Sequence, residues 1–252
     1  MFDFLLGDAT EPEGQWLELG GENVWLVWKR HAKAKRLKLL VSAEGPRLSL
    51  PVRASKKAAL AFVAEHRAWI QAQWQRHQAK ALPPLAIGES AQVPLFGLDM
   101  PILWQEDKAL RVYQYAGHWR IHTSPRSSLR QVQAALLHSY RRIGHEWFNE
   151  RMQAYLPDLP QAPTAMTIKP LRSVWGSLSA ANAVSLDVAL LFGPEDVAEY
   201  VLVHELCHLL QRNHSPKFWR EVENRWPQWR EQRDYLKIHG MGLKSEARRV
   251  FG

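Results

Sequence analysis

One predicted helix in this chain is apolar almost all round, through Val201, Leu202, Val203, Leu206, Cys207, Leu209 and Leu210, yet it also carries His204, Glu205 and His208. A helix of that composition belongs in an interior. Polar side chains buried there without partners are costly, and a metal ion would satisfy all three. The segment His204-Glu205-Leu206-Cys207-His208 is an HExxH pattern, with His214 six positions beyond its second histidine. Residues four apart on a helix lie about 40° from each other around the axis, one turn apart. His204 and His208 therefore present two imidazoles to one point, at a spacing suited to tetrahedral zinc. Glu205 stands roughly 100° further round, too far to be an easy third ligand but well placed to reach a water held on the metal. If the helix ends near Asn213, with that residue in the left-handed conformation, the chain turns and His214 comes back as third ligand. Three neutral imidazoles leave a fourth position open, the mark of a catalytic rather than a structural zinc site.

Short patterns with three fixed positions also occur in chains whose histidines are ordinary core residues. Here the surroundings favour the metal. Asp196 to Gln211 reads as the helix, and Gly193-Pro194-Glu195-Asp196 supplies a start signal with acids in the first turn to complement the dipole. The expectation is a zinc-dependent metallohydrolase in which His204, His208 and His214 bind the metal and Glu205 is catalytic. The sequence does not exclude nickel, cobalt or copper, which also suit imidazoles.

A length of 252 residues allows one large domain or two small ones. Apolar content of 46% and charged content of 23% are those of an ordinary globular protein. The single cysteine, Cys207, excludes an internal disulfide framework and is expected as a small core residue facing away from the metal. Met1-Phe2-Asp3-Phe4-Leu5-Leu6 is too short and lacks the basic residues of a signal peptide. No apolar run approaches the ~20 residues that span a bilayer, so no membrane association and a cytoplasmic location are expected. The net charge of +8 draws anions such as nucleic acid, nucleoside triphosphates or an acidic partner. Its densest block, Lys29, Arg30, His31, Lys33, Lys35, Arg36 and Lys38, reads equally as a solvated hairpin rim, and charge alone does not choose.

Val24 to Lys29 reads as a strand, and Leu37 to Val41 with Arg47 to Leu50 as a hairpin turned at Ala43-Glu44-Gly45-Pro46. Ser55 caps a helix expected to run to about Ala79. After the break at Ala81 to Leu85, strands are expected over Met100 to Gln105, Leu110 to Tyr115 and His118 to His122. Ser127 or Ser128 then caps a long amphipathic helix from about Leu129 to Leu156. His138 and His145 on it have no metal-spaced partner and read as ordinary histidines. Strands follow at Thr164 to Lys169 and Ala183 to Leu186, before the HExxH helix. Pro216 opens a further helix holding Phe218, Trp219, Val222 and Trp226. A last short helix is expected from Gln228 to about Lys237, with a frayed tail beyond Gly240.

Taken together, Trp175-Gly176-Ser177, the run Tyr200 to His208, and Asn213-His214-Ser215-Pro216-Lys217-Phe218-Trp219 resemble the YgjP-like metal-dependent hydrolases, relatives of the SprT-like zinc peptidases within the zincin group. Lys35-Arg36-Leu37-Lys38-Leu39 and Ala64-Glu65-His66-Arg67-Ala68-Trp69-Ile70 also look like that family's opening segment, so the resemblance covers roughly residues 30 to 235. The family typically has Trp-Gly-Ser-Cys, and Leu178 replaces the cysteine, so any role of that thiol is absent here. The resemblance implies an α+β fold: a β-rich N-terminal region over 1–122 with one long helix at about 55–79, a zincin-like catalytic domain over 123–240, and a tail over 241–252. It also implies that Trp175, Gly176 and Ser177 border the substrate cleft; a turn packed on the helix is the other reading, and both stay open.

In such a site the ion lowers the pKa of its water and Glu205 takes the proton as general base. An oxyanion stabiliser is expected, with Arg172, His239 and Tyr235 as candidates. Acceptors for the imidazole N–H groups are expected as well, with Glu221 and Glu223 as candidates that also read as surface acids. A metzincin reading fits less well, since Gln211 stands where that clan needs glycine. Three functions follow: a metallopeptidase acting on peptides, which is preferred; a nucleoside triphosphate pyrophosphatase of UTP type; and a basic nucleic-acid-associated protein with a secondary zinc site. The oligomeric state is not legible.

Overall fold

The alternation in Arg47-Leu48-Ser49-Leu50 produces a strand with one buried face, where Leu48 and Leu50 are fully enclosed. The protein is described from a computed structural model over residues 13–32, 34–42, 45–79, 83–172 and 174–252. Two compact units divide it, Met1–Ala81 and Leu82–Gly252.

In the first unit, β1 (Gly14–Leu19), β2 (Glu22–His31), β3 (Lys38–Ser42) and β4 (Gly45–Pro51) form a sheet in the order β1-β2-β4-β3. β2 and β4 are parallel, and the other two pairings are antiparallel. The hairpin expected from Leu37 to Leu50 is β3–β4; of its turn, Ala43 and Glu44 lie outside the described residues. The helix expected over residues 55–79 is two helices, α1 (Lys56–Glu65) and α2 (Arg67–Ala79), capped at the start by Ser55. They part at His66, whose backbone leaves the helical region and whose Nδ1 donates to the Phe62 carbonyl at 2.9 Å. The bend lets Val63 of α1 and Ile70 and Trp74 of α2 pack in one core with Leu26, Leu48 and Leu50.

The second unit begins with a sheet in the order β5-β6-β8-β7, made of β5 (Gln92–Leu95), β6 (Leu98–Glu106), β7 (Arg111–Tyr115) and β8 (His118–Thr123). Helix α3 (Leu129–Met152) follows, with Ser128 and Gln131 in a reciprocal capping box. Val93, Ile102, Trp119 and Ile121 of the sheet share one core with Leu136 and Tyr140 of α3. The division between units therefore falls at Ala81 rather than near residue 122, because these strands bury their apolar face with the helix that follows them.

A second sheet, in the order β10-β11-β9, consists of β9 (Ala165–Lys169), β10 (Gly176–Leu178) and β11 (Ala183–Asp187). A 3-10 turn at Val188–Phe192 leads into α4 (Glu195–Cys207), then α5 (Pro216–Arg225) and α6 (Trp229–Phe251). The chain is thus α+β. The expected frayed tail is wrong: α6 continues to Phe251, with Leu243, Ala247 and Val250 buried on one face. Gly240 and Gly242 read locally as breakers, but tertiary burial of that apolar stripe outweighs their low helix propensity of about 1 kcal/mol each. Phe251 meets Tyr140 edge-on at 5.2 Å, and Tyr140 stacks between Trp119 and Phe192.

Gly144 of α3 faces the 3-10 turn so closely that a Cβ there would sit 2.8 Å from Leu191 Cδ1. Gly→Ala in an open helix stabilises by about 1 kcal/mol, whereas overpacking a full core costs about 1–3 kcal/mol. Gly144→Ala is expected to lower the denaturant midpoint of unfolding; an increase would show that Leu191 has room to move.

Candidate metal centre and cleft

Helix α4 lies inside the second unit because it is apolar all round: Val197, Val201, Leu202, Val203, Leu206 and Cys207 are all buried. The helix ends at Cys207, with His208 as its cap, four residues earlier than the sequence suggests. The next turn tightens, with Leu209 N–H donating to the Leu206 carbonyl and Leu210 N–H to that of Cys207. Asn213 does not take the expected left-handed conformation. Instead its Oδ1 accepts from Ser215 N–H at 3.2 Å, a local side-chain turn that redirects the chain into α5.

That redirection brings His214 to the two histidines of α4. One ring nitrogen from each of His204, His208 and His214 lies within 4.8 Å of the others. The Nε2 atoms of His204 and His214 are 3.0 Å apart. His208 donates from Nδ1 to the Gln211 carbonyl at 3.0 Å, which leaves its Nε2 lone pair free. Burial, reinforced by the other two imidazoles, pushes His204 down to about 3, so this ring is neutral at physiological pH. A tetrahedral ion with bonds of about 2.0–2.1 Å needs nitrogens roughly 3.4 Å apart. Three imidazoles that converge in this way, with the Nε2 atoms of two of them 3.0 Å apart, therefore fit a divalent metal of zinc's preferences. All three rings rest on Phe218 of α5, with centroids 4.5 to 4.9 Å away. Sequence reasoning placed Phe218 in the helix that Pro216 opens and in the Asn213-to-Trp219 run, with no role beside the imidazoles.

Glu205 is 5% exposed. Burial raises its carboxyl group to about 7, opposed by the Leu178 N–H, which donates to it. Gly176, on the same strand, leaves no room for a side chain: a Cβ there would lie 2.7 Å from both Cγ and Oε1 of Glu205. The Trp-Gly-Ser sequence thus has a steric reason, since the glycine is where the carboxyl group passes. Strand β10 is the edge of its sheet, antiparallel to β11.

Trp175, Gly176 and Ser177 line a cavity of about 720 Å³ together with the three histidines and Glu205. Of the anticipated oxyanion-binding residues, none borders it: Tyr235 and His239 meet each other as a tilted ring pair at 4.4 Å, and Arg172 lies outside. Tyr200, Arg212, Arg233 and Lys237 border it instead. Tyr200 was legible, one turn before His204 on the same face; Arg233 comes from α6 and carried no local signal. Glu221 and Glu223 do not serve the imidazoles, because they pair with Arg225 and Arg230. The Nδ1 of His204 is buried without a hydrogen-bond partner. His138 and His145 do not join the cluster, and Cys207 is a core residue whose thiol burial pushes up to about 12.

The chain belongs to the YgjP-like family: the family model described as YgjP-like, metallopeptidase domain, matches residues 35–239. The crystal structure of the metallopeptidase zymogen of Pyrococcus abyssi abylysin is 29% identical over 37% of this chain and 92% of that one. Its TM-score of 0.33 does not establish a shared fold. No curated protein matches. Among the described residues no helix is long and apolar enough to cross a membrane.

The cleft wall is held from behind by Lys244 of α6. Its Nζ donates to the carbonyls of Leu171 and Val174 and to Asp187 Oδ2, the last at 2.5 Å, and sits 4.6 Å over the Trp175 ring. Asp187 is 2% exposed, so removing Lys244 takes away its cation and leaves it the Ala189 N–H, which donates to Oδ1 at 3.0 Å. Such a loss costs about 3–5 kcal/mol. Lys244→Met is expected to destabilise the protein on that scale and to speed amide hydrogen exchange across residues 174–178; unchanged exchange there would contradict the assignment.

Proposed function

We propose that this chain is a zinc metallopeptidase with a zincin-like catalytic domain, in which His204, His208 and His214 hold the ion and Glu205 is the general base. The observation that carries this reading is the convergence of three imidazole nitrogens within 4.8 Å, beside a buried carboxyl group, in a cavity large enough for several substrate residues. A bound zinc ion supplies Lewis-acid chemistry, lowering the pKa of water and polarising a carbonyl oxygen. Glu205 accepts the proton of the attacking water on a carboxylate oxygen and delivers it to the leaving amine. The Leu178 N–H and the bare Cα of Gly176 hold that carboxyl group against the wall instead of leaving it free to rotate.

Trp175, Gly176 and Ser177 contribute backbone as well as shape. As an edge strand, β10 suits an extended polypeptide that adds beside it through main-chain hydrogen bonds. That feature favours a peptide over a nucleoside triphosphate, for which the sequence offers no glycine-rich phosphate loop.

Zinc-loaded protein is expected to cleave a denatured polypeptide. Glu205→Gln should retain its metal and lose about 100-fold or more of that activity. Metal content and cleavage products, followed together, check both parts. Pyrophosphate release from UTP that disappears in the same variant, without peptide cleavage, would replace the peptidase reading. His214→Ala is expected to lower zinc content after dialysis; full retention would remove His214 as a ligand.

A further inference from the structure

Three cations border the cleft, Arg212, Arg233 and Lys237, against a single carboxylate among the described lining residues, Glu205. Two of the three are already engaged. Arg212 donates to the Ser179 carbonyl at 3.0 Å and to the Asn182 side chain, tying the β10–β11 turn in place. Lys237 is 2.5 Å from Asp234. Arg233 is different. None of the described residues accepts a hydrogen bond from its guanidinium, and its Nε is buried without a partner. The nearest carboxylate, Asp234, lies at 4.0 Å and is the one Lys237 holds.

The Arg233 guanidinium is nonetheless fixed. It lies 4.6 Å from the centre of the Trp229 ring and 5.8 Å from that of Trp219, two rings stacked on each other at 4.3 Å. Trp219 in turn meets His204 at 5.7 Å and His214 at 5.8 Å. A flat, pre-oriented guanidinium fork one ring away from the imidazole cluster matches the geometry of a carboxylate, which it can bind through two parallel hydrogen bonds. We propose that Arg233 is a specificity-determining residue that holds a substrate carboxylate in this cleft. The preferred substrate is then a peptide with an acidic side chain, or its own C-terminal carboxylate, beside the bond that is cut.

This inference rests on the peptidase reading for the bond cut, while the carboxylate site itself does not depend on turnover. The cleft supports a carboxylate over a triphosphate because a single cation without a hydrogen-bonded partner among the described residues suits one anionic group, while Arg212 and Lys237 are already held by the protein itself.

Binding is measured by fluorescence anisotropy on full-length, zinc-loaded protein carrying Glu205→Gln, so that no peptide is consumed. Three short labelled peptides of one sequence are compared: a central Glu with an amidated C-terminus, a central Gln with an amidated C-terminus, and a central Gln with a free C-terminal carboxylate. At least one carboxylate peptide is expected to bind about tenfold more tightly than the neutral one, and which of the two does so identifies the source. Adding Arg233→Gln should shrink that gap to about twofold or less, and Arg233→Lys, which keeps the charge and the fold but not the fork, should restore part of it. Equal binding of all three peptides, binding of none, or a gap that survives in Arg233→Gln would overturn the proposal. So would UTP binding that needs Arg233 while peptide binding does not. If the carboxylate gap appears but protein with an intact Glu205 cuts no peptide, the peptidase reading fails and the carboxylate site stands.

Discussion

The contact between the Glu205 carboxyl group and the backbone of β10 is the constraint on which the rest of the cleft depends. A single buried side chain spans from the last turn of α4 to the edge of a sheet, taking the Leu178 N–H and lying where Gly176 has no Cβ. Helix and strand therefore cannot shift independently. If β10 moved outward, the carboxyl group would lose both its donor and its wall, and a buried acid without a partner is costly. On the other side, Lys244 grips the segment leading into β10 through two carbonyls, Asp187 and the face of Trp175. The strand is clamped between α4 and α6, and this makes it a rigid edge for a substrate chain in the proposed reading.

The histidine cluster follows a related logic. Burial and mutual proximity keep His204 neutral, so its lone pair is available. Phe218 provides a common floor for all three rings, and His208 is also held through a hydrogen bond from its second nitrogen to the Gln211 carbonyl. A site built this way is shaped by apolar contact around it, and the low local dielectric strengthens whatever electrostatic interaction is made inside.

Much of this was legible beforehand because it is local. The spacing of His204 and His208, the cap at Ser128, the first-turn position of Pro216 and the alternating strands each follow from one helix or strand considered alone. What was not legible depended on partners distant in sequence. The single helix expected over residues 55–79 bends at His66 to suit the sheet beneath it. The tail past Gly240 is helical because Leu243, Ala247 and Val250 find a core supplied by residues well over forty positions away. Arg233 reaches the cleft, Lys244 the back of its wall and Phe218 the imidazole rings, each from a helix whose own sequence gives no sign of that role.

The sequence by itself determined that an HExxH helix would be buried with two imidazoles on one face, and that a third histidine was within reach. Periodicity and hydrophobicity are properties of neighbouring residues, so they survive without knowledge of the fold. Only the tertiary structure decided how the third histidine returns, why the Trp-Gly-Ser segment must contain its glycine, and which cation in the cleft is left without a hydrogen-bond acceptor among the described residues. Those outcomes are set by close approach between segments, where a few tenths of an ångström separate a fit from a clash and no local rule records the neighbour.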